Sequence, residues 1–541
     1  MSDALIGAAA AVDVAAPIID AAAHSLAERS RDGDRISVSK LDEHQVVAYD
    51  LAHAAAALEA CRVMVDYGAR GELEEMLALA FVADAIADIE SRLIGRDESW
   101  GVAPGDLAAT RTFVAAYRDP RFLEQLADRV VGAGTGPTHL DDDFDMVRDT
   151  FHRFAEDKIR PVAEHIHREN ADIPEEIIGG LAEIGGFGLS VPEEYGGFAA
   201  GGESDYLAMV VATEELSWGS LGAGGALITR PEILTRAIVK GGTEDQKRTW
   251  LPPIASGERI VGVMVTEPDY GSDVAGVKVA AAPTDGGYLI NGVKTWCTFA
   301  GRADTLMVLA RTDPDRSAGH RGLSVFVIDK PPAPGHHFEF TGERGGKMEG
   351  RAIDTLGYRG MHSYEVAFDD WFVPAENLIG LDDGLGKGFY LQMEGFENGR
   401  LQTAARAVGL MEAAFEAGLT YAQDRKVFGK SVFDYQLSKV KIARMAALIQ
   451  AGRQFSYAVA RRMAKGEGAL EASMVKAYVC RAAEWVTREA MQLHGGMGYA
   501  EEFPVSRYFV DARVLSIFEG ADETLCLRVI ARRLAEQALA A

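Results

Sequence analysis

Cysteine is scarce in this chain. Four occur, at Cys61, Cys297, Cys480 and Cys526. None forms a CxxC pair or a cluster at metal-ligand spacing, which excludes a disulfide framework and argues against a metal site. Reduced thiols and a cytoplasmic setting are expected. Basic residues are also in deficit, with 55 Lys and Arg against 81 Asp and Glu and a net charge of −26. Such a balance excludes nucleic acid and anionic membrane as natural partners. It also obliges any phosphate-bearing ligand to find locally placed donors. No unbroken run of about 18 apolar residues occurs, so no membrane-spanning helix is expected. The opening Met1-Ser2-Asp3-Ala4 has no basic segment, and Asp3, Asp13 and Asp20 argue against a transit peptide.

What is present is a globular composition, 48% hydrophobic over 541 residues, long enough for three or four domain-sized units. Four regions differ in pattern. Residues 1–140 are Ala-rich with helical periodicity. Residues 141–258 are again helical: Asp141-Asp142-Asp143 suits a helix N-terminus, Pro174 with Glu175 and Glu176 opens a helix that Gly185-Gly186 closes, and Thr243 with Gln246 forms a capping box. Residues 259–384 change to strands. Ile260 to Val265, Leu306 to Ala310 and Leu323 to Ile328 are apolar runs, and Asn291-Gly292 carries a hairpin signal. This stretch reads as a β-barrel or sandwich domain. Residues 385–541 return to long helices and read as a four-helix bundle. The fold class is α+β and multidomain, with an extra helical segment at the N-terminus.

The chain also echoes itself. The stretch from His44, HQVVAYDLAHAAAALEACR, matches the one from Tyr435, YQLSKVKIARMAALIQAGR. The stretch from Leu73 matches the one from Leu470, and Arg111 to Val114 matches Arg507 to Val510, in the same order. Either Ala-rich helices agree by chance, or residues 44–115 are a degenerate copy of part of the C-terminal bundle. In the second case Leu123 stands where the other copy has Glu519, so the copy packs and does not catalyse.

The segment from Met264, MVTEPDYGSDVAGVKVAAAPTDGGYLINGVKTWCTFAGRAD, holds the densest chemistry. Gly271-Ser272-Asp273 alone is a turn. Lys294, Trp296 and Thr298 follow beside Asn291-Gly292, and Thr266, Thr298, Trp296 and Ser272 offer the flat wall and hydroxyl donors that suit a flavin. With VTEPxxGSD, NGxKxW, RKVFGK from Arg425 and the terminal IFEG in order, residues 141–541 resemble the acyl-CoA dehydrogenase family.

The resemblance implies FAD and an acyl-CoA thioester as cofactor and substrate, and an electron-transfer flavoprotein as acceptor. It implies that Val265 and Thr266 face the flavin pyrimidine edge, that Ser272 reaches the pyrophosphate or the CoA, that Trp296 lies against the isoalloxazine and that Thr298 bonds N5. Arg425, Phe428 and Gln436 would reach from an adjacent subunit to the adenylate half, completed by Gln492 and Gly496, with Ala521 and Glu523 beside it. Such sharing implies a homo-oligomer, a dimer in preference to a tetramer. Ala521 replaces the usual Thr, Phe518 the usual Tyr and Cys297 the usual Ile.

Glu519 is the implied catalytic base. Its neighbours Leu515, Ile517 and Phe518 are apolar, and partial desolvation strengthens a carboxylate as proton acceptor. Gly520 lets backbone approach a ligand. Family members that place the base before the Arg of F-x-x-x-R would need it at Gly399, and glycine cannot serve. Arg400 either supports the acyl and CoA pocket or makes a structural ion pair.

The N-terminal extension, together with GGKMEGRAIDTLGYRGMHSYEVAFDDWFVP from Gly345, is similar to the methylsuccinyl-CoA dehydrogenases of the ethylmalonyl-CoA pathway. Their substrate carries a free carboxylate, which needs a partner when buried. Arg230, with Thr229 beside it, is the candidate, although dicarboxyl-CoA relatives place the arginine where this chain has Gly224. Alternatives are a short- or branched-chain acyl-CoA dehydrogenase, an oxidase or monooxygenase on the same fold, which the Glu519-Gly520 pair argues against, and a non-catalytic flavoprotein scaffold.

Overall fold

The computed structural model describes residues 1–541, the side chain of Ser204 excepted. The chain forms two compact units, residues 142–402 and residues 1–141 together with 403–541.

The second of these is helical. Helices Gln45–Gly68 and Glu72–Leu93 pack with Gln436–Met463 and Ala469–Leu493 into a bundle drawn half from each end of the chain. Their alanines, such as Ala48, Ala52, Ala56 and Ala60, are buried and allow close approach of the helices. All three sequence echoes fall on helices at both of their positions, the third pairing Arg111–Tyr117 with Val505–Leu515. Leu123 is buried in the helix Pro120–Val130, whereas Glu519 lies in an irregular turn. Polar stitches fasten the segment after that helix. Thr135 donates to Glu412 at 2.7 Å, and Gln450 and Gln454 donate to the carbonyls of Pro137 and Thr138 at 2.9 and 3.0 Å.

Helix Asp3–Ser30 is long and apolar enough, by length and composition, to cross a membrane. Alanine lifts its hydropathy although Asp13 and Asp20 interrupt the run. Its face of Leu5, Ala8, Val12, Ala15, Ile19, Ala22 and Leu26 is buried, and it packs on Gln45–Gly68, Glu72–Leu93 and Arg532–Ala540. That spacing is the apolar stripe of a helix that packs one face on a core and leaves the other exposed.

In residues 142–402, helices surround an eight-stranded curled sheet. Its strands are β1 (Val261–Met264), β2 (Ala280–Thr284), β3 (Gly287–Thr298), β4 (Thr305–Arg311), β5 (Leu323–Asp329), β6 (His337–Thr341), β7 (Lys347–Ile353) and β8 (Ser363–Pro374). They run in the order β1-β4-β2-β3-β8-β7-β6, with β5 also on β4. The β1–β4 and β2–β4 pairs are parallel, and the β3–β8 and β4–β5 pairs are antiparallel. Every residue of β4 is buried. Met307 and Leu309 join the core shared with Ile233, Leu234 and Trp250, while Leu306, Val308 and Ala310 face Phe326, Phe338 and Phe368. A strand covered on both faces reads as an uninterrupted apolar run, which is how it looked in the sequence.

Among the surrounding helices, Asp142–Phe154 carries three acidic residues in its first turn, Pro174 precedes Glu175–Glu183, and the Thr243–Gln246 capping box is formed. The hairpin expected at Asn291-Gly292 is elsewhere. Thr284 pairs with Gly287, so the turn is Asp285-Gly286, with Gly286 at φ +74°. Asn291 and Gly292 sit mid-strand, where Phe368 and Trp371 bracket a register shift. Asn291 fills that irregularity, donating to Asp370 and accepting from its N–H, both at 2.9 Å. Asn-Gly and Asp-Gly are equivalent turn signals, and here the strand pairing selects the latter.

Candidate active site

Two groups of predicted residues are brought together, one in each unit.

The first lies on β3 and the segment following β1. Lys294, fully buried, donates to the carbonyl of Val265 at 2.8 Å and to Glu267 Oε1 at 2.9 Å. Glu267 also accepts the N–H groups of Lys278 and Val279 at 2.6 and 2.8 Å, and Thr295 N–H donates to the carbonyl of Thr266 at 2.9 Å. Burial holds the Lys294 ammonium below its usual range, opposed by the Glu267 carboxylate. The pair laces Val265-Thr266 to β3, a role that naming Lys294 among the motif residues did not disclose.

Directly after Lys294, Thr295 and Trp296 lie opposite the single residue Glu365, because Lys294 pairs with Val366 and Cys297 with Tyr364. This is a β-bulge, a device that re-aims side chains. Trp296 is turned outward, 55% exposed, at φ +57°. A bulky residue in that region is held there by its surroundings. Phe299 and His362 share the conformation at φ +68° and +48°, joined by a 2.8 Å bond from Phe299 N–H to the His362 carbonyl. Between them Thr298 is buried with its hydroxyl 3.0 Å from that of Ser363. Cys297 is fully buried, and burial pushes its thiol up. Thr266 is half-buried and Ser272 exposed in its turn. An outward indole beside hydroxyl donors, in a backbone held by strain, fits a flavin ring.

The same unit holds the acyl candidates. Arg230, 5% exposed, and Thr229, fully buried, begin the helix Thr229–Gly241. Neither Arg230 Nη1 nor the Thr229 hydroxyl has a hydrogen-bond partner among the described residues. Arg236 and Asn398 engage Glu232 instead. At Gly224, where an arginine was the alternative, a Cβ would stand 2.7 Å from Ile159 Cδ1 and from the Leu216 carbonyl. No side chain fits there without backbone movement. Gly399 is buried and Arg400 half-buried on the helix Gly388–Asp424.

The second group is in the helical unit. Arg425 and Phe428 lie on a small hairpin, Lys426–Val427 with Lys430–Ser431, and Phe428 is 99% exposed. Gln436 is exposed and donates to Glu124 at 3.1 Å, a contact within the chain that the expectation did not contain. Gln492 and Gly496 are exposed where the helix Ala469–Leu493 ends. A Cβ on Gly495 or Gly496 would meet no atom within 4 Å, so backbone there is open to a ligand. His494 braces this turn by stacking on Tyr421 at 4.2 Å, and Arg425 N–H donates to the Tyr421 carbonyl at 2.9 Å. The hairpin and the glycine turn are thus anchored on one residue.

Glu519 follows the helix Val505–Leu515 in a turn where it adopts φ +53° and Gly520 φ +96°. Asp522 N–H donates to the Ser516 carbonyl at 3.0 Å and closes the turn. Buried Lys476 donates to the Gly520 carbonyl at 2.6 Å, and the Arg406 guanidinium lies 5.0 Å from the Phe518 ring. A Cβ at 520 would meet Leu525 at 2.9 Å, so this position requires glycine. Glu519 itself is half-buried, Ala521 likewise, and Glu523 is exposed. The Glu519 N–H makes no hydrogen bond among the described residues. Sequence inspection did not find Tyr49, His53 and Lys476, which hold this turn from other helices.

Comparison with known proteins gives a consistent picture. Family models described as the N-terminal, middle and C-terminal domains of acyl-CoA dehydrogenase match residues 141–258, 262–371 and 386–535. The chain is 37% identical to the (2S)-methylsuccinyl-CoA dehydrogenase of Cereibacter sphaeroides, over 99% of this chain and 98% of that one. It is 34% identical to the mitochondrial isovaleryl-CoA dehydrogenase of Solanum tuberosum over 71% of this chain and 89% of that one. Among solved structures, butyryl-CoA dehydrogenase from Megasphaera elsdenii superimposes with a TM-score of 0.65 at 32% identity, covering 72% of this chain and 97% of that one. A chain from a study of the electron transferring flavoprotein of Acidaminococcus fermentans gives 0.66 at 32% identity, covering 74% and 98%.

Proposed function

The chain belongs to the acyl-CoA dehydrogenase family, FAD-dependent oxidoreductases of acyl-CoA thioesters, and from that premise we propose that it oxidises (2S)-methylsuccinyl-CoA to mesaconyl-CoA. The observation that carries this is the buried guanidinium of Arg230, whose Nη1 lacks a protein partner while the Thr229 hydroxyl beside it in sequence lacks one too. A buried cation of this kind is costly unless an anion meets it, and the distal carboxylate of a dicarboxylic acyl group supplies one. The likeness to a methylsuccinyl-CoA dehydrogenase extends over the first 140 residues, whereas the isovaleryl relative covers 71% of the chain.

In the mechanism we propose, Glu519 removes the α-proton and holds it on its carboxylate. FAD, when bound, supplies the acceptor for the hydride leaving the β-carbon. The Glu519 N–H, uncommitted within the protein, donates to the thioester carbonyl and so raises the acidity of the α-carbon. Trp296, Thr266, Val265 and Thr298 hold the flavin ring, Ser272 reaches the pyrophosphate or CoA, and Arg400 supports the acyl and CoA pocket. Arg425, Phe428 and Gln436 of a second copy, with Gln492, Gly496, Ala521 and Glu523, serve the adenylate half. Phe428, almost wholly bare, suits burial in a neighbour. We propose a homodimer, with the N-terminal helices as a degenerate copy covering bundle surface that would otherwise pair with further subunits. The proposed acceptor is an electron-transfer flavoprotein, in keeping with the Acidaminococcus likeness.

The test is an anaerobic titration of the yellow protein with methylsuccinyl-, isovaleryl-, glutaryl- and butyryl-CoA. Bleaching by methylsuccinyl-CoA alone is expected. Bleaching by isovaleryl- or butyryl-CoA instead would assign a short- or branched-chain substrate. A tetramer in solution would overturn the dimer.

A further inference from the structure

The turn that carries Glu519 is held from an unexpected place. Tyr49 and His53 stand one helical turn apart on Gln45–Gly68, so both point the same way. The Tyr49 hydroxyl donates to Asp522 Oδ2 at 2.5 Å, and His53 Nε2 lies 3.2 Å from the same oxygen. Their rings meet edge to face at 4.7 Å. His53 and Asp522 are buried, and Cys526 Sγ closes the group 3.4 Å from His53 Nε2. Asp522 is three residues beyond Glu519, and its own N–H ties the turn back to Ser516.

We infer that Tyr49 and His53 are positioning residues for the base, acting through Asp522: the N-terminal segment clamps the far end of the turn that presents Glu519. This rests on the assignment of Glu519 as base. A left-handed glutamate before a left-handed glycine is a conformation the chain leaves when its surroundings allow. Lys476 fixes the middle of the turn at the Gly520 carbonyl, and Asp522 fixes its end. Burial alone would raise the Asp522 carboxyl, but the bonds from His53 and Tyr49 hold it below the usual range, so it stays an anion able to accept both. Residues before 141 thereby take part in catalysis without touching substrate.

His53, Asp522 and Cys526 also have ligand atoms within 4.8 Å of one another, as a metal site would. The hydrogen-bond account is favoured because Oδ2 already accepts from Tyr49, and burial pushes the Cys526 thiol up and keeps it protonated.

The experiment uses the full-length, FAD-loaded protein with Tyr49→Phe, His53→Gln and Asp522→Asn. Rapid anaerobic mixing with the best bleaching acyl-CoA measures flavin reduction. The rate is expected to fall about 10- to 100-fold, with KM and FAD content unchanged and a larger isotope effect on α-deuterated substrate. Tyr49→Phe combined with Asp522→Asn should be no slower than Asp522→Asn alone, because both break one clamp. In the absence of substrate, amide exchange over residues 516–524 should accelerate in each variant. Met64→Ala, a core truncation on the same helix, should lower stability and leave the reduction rate alone. Unchanged rates and unchanged exchange in all three clamp variants would overturn the inference, as would a stoichiometric metal ion whose removal reproduces their effect. Glu519→Gln separates the two levels. If it keeps more than a tenth of the reduction rate, the base assignment fails and the clamp with it. If it is slowed beyond that while the clamp variants run at full rate, the clamp alone fails.

Discussion

Lys294 Nζ and Glu267 Oε1 lie 2.9 Å apart with both side chains buried. The pair joins β3 to the segment that follows β1, and with it the two stretches proposed to hold the flavin ring. Removing one partner leaves the other charge stranded, at a cost of about 3–5 kcal/mol. Lys294→Met should therefore lower the unfolding free energy by that amount and lower the FAD bound per chain. Adding Glu267→Gln should recover part of the stability. A single variant as stable and as yellow as the parent would contradict the account.

Glu519→Gln keeps the size of the side chain and removes the proton acceptor. Flavin reduction should slow by about 10²–10⁴-fold, while a non-reactive acyl-CoA thioether still binds. Retention of more than a tenth of the rate would point to another base.

For Arg230→Met the expectation concerns selectivity. Methylsuccinyl-CoA should lose about 2–5 kcal/mol of binding, the usual cost of stranding one buried charge. Butyryl-CoA, which has no distal carboxylate, should bind as before or better. Equal losses on both substrates would move Arg230 from the acyl pocket to a purely structural place.

His53, His362 and His494 are buried, and burial holds each below the ordinary value of 6.5. In the folded protein they stay neutral below that value, while the unfolded chain takes up protons there. Stability should fall as pH drops below about 6.5, by up to roughly 1.4 kcal/mol per pH unit for each histidine. His494→Phe, keeping a ring against Tyr421 and against Phe503, whose ring lies 5.6 Å from that of His494, should flatten the slope by one histidine's share. Urea unfolding between pH 6.5 and 5 measures it, and an unchanged slope would exclude His494 as a contributor.

Local features were legible. The Thr243–Gln246 box and the acidic first turn at Asp142 depend on residues within one helical turn, and the unbroken apolar run of β4 announced a strand covered on both faces. Asn291-Gly292 misled because a dipeptide signal cannot say which of two candidate turns the pairing will choose. Trp296 was picked as a wall for the ring, but its left-handed backbone comes from the bulge opposite Glu365, which needs β8 in place. The contacts of Asp522 with Tyr49 and His53 span nearly the whole chain, and no local pattern foretells them. The sequence echo was visible because the matched stretches are helical in both places and helices repeat the same spacing.

The helical unit is made of the first and last parts of the chain, with residues 142–402 between them. During synthesis the helices Gln45–Gly68 and Glu72–Leu93 emerge long before the two that cover them. At about 5–20 residues per second their alanine-rich faces wait roughly 20–80 s for partners. The growing chain thus carries an unsatisfied apolar surface through most of translation, and its yield should depend on chaperones that shield nascent chains more than on the stability of the finished protein.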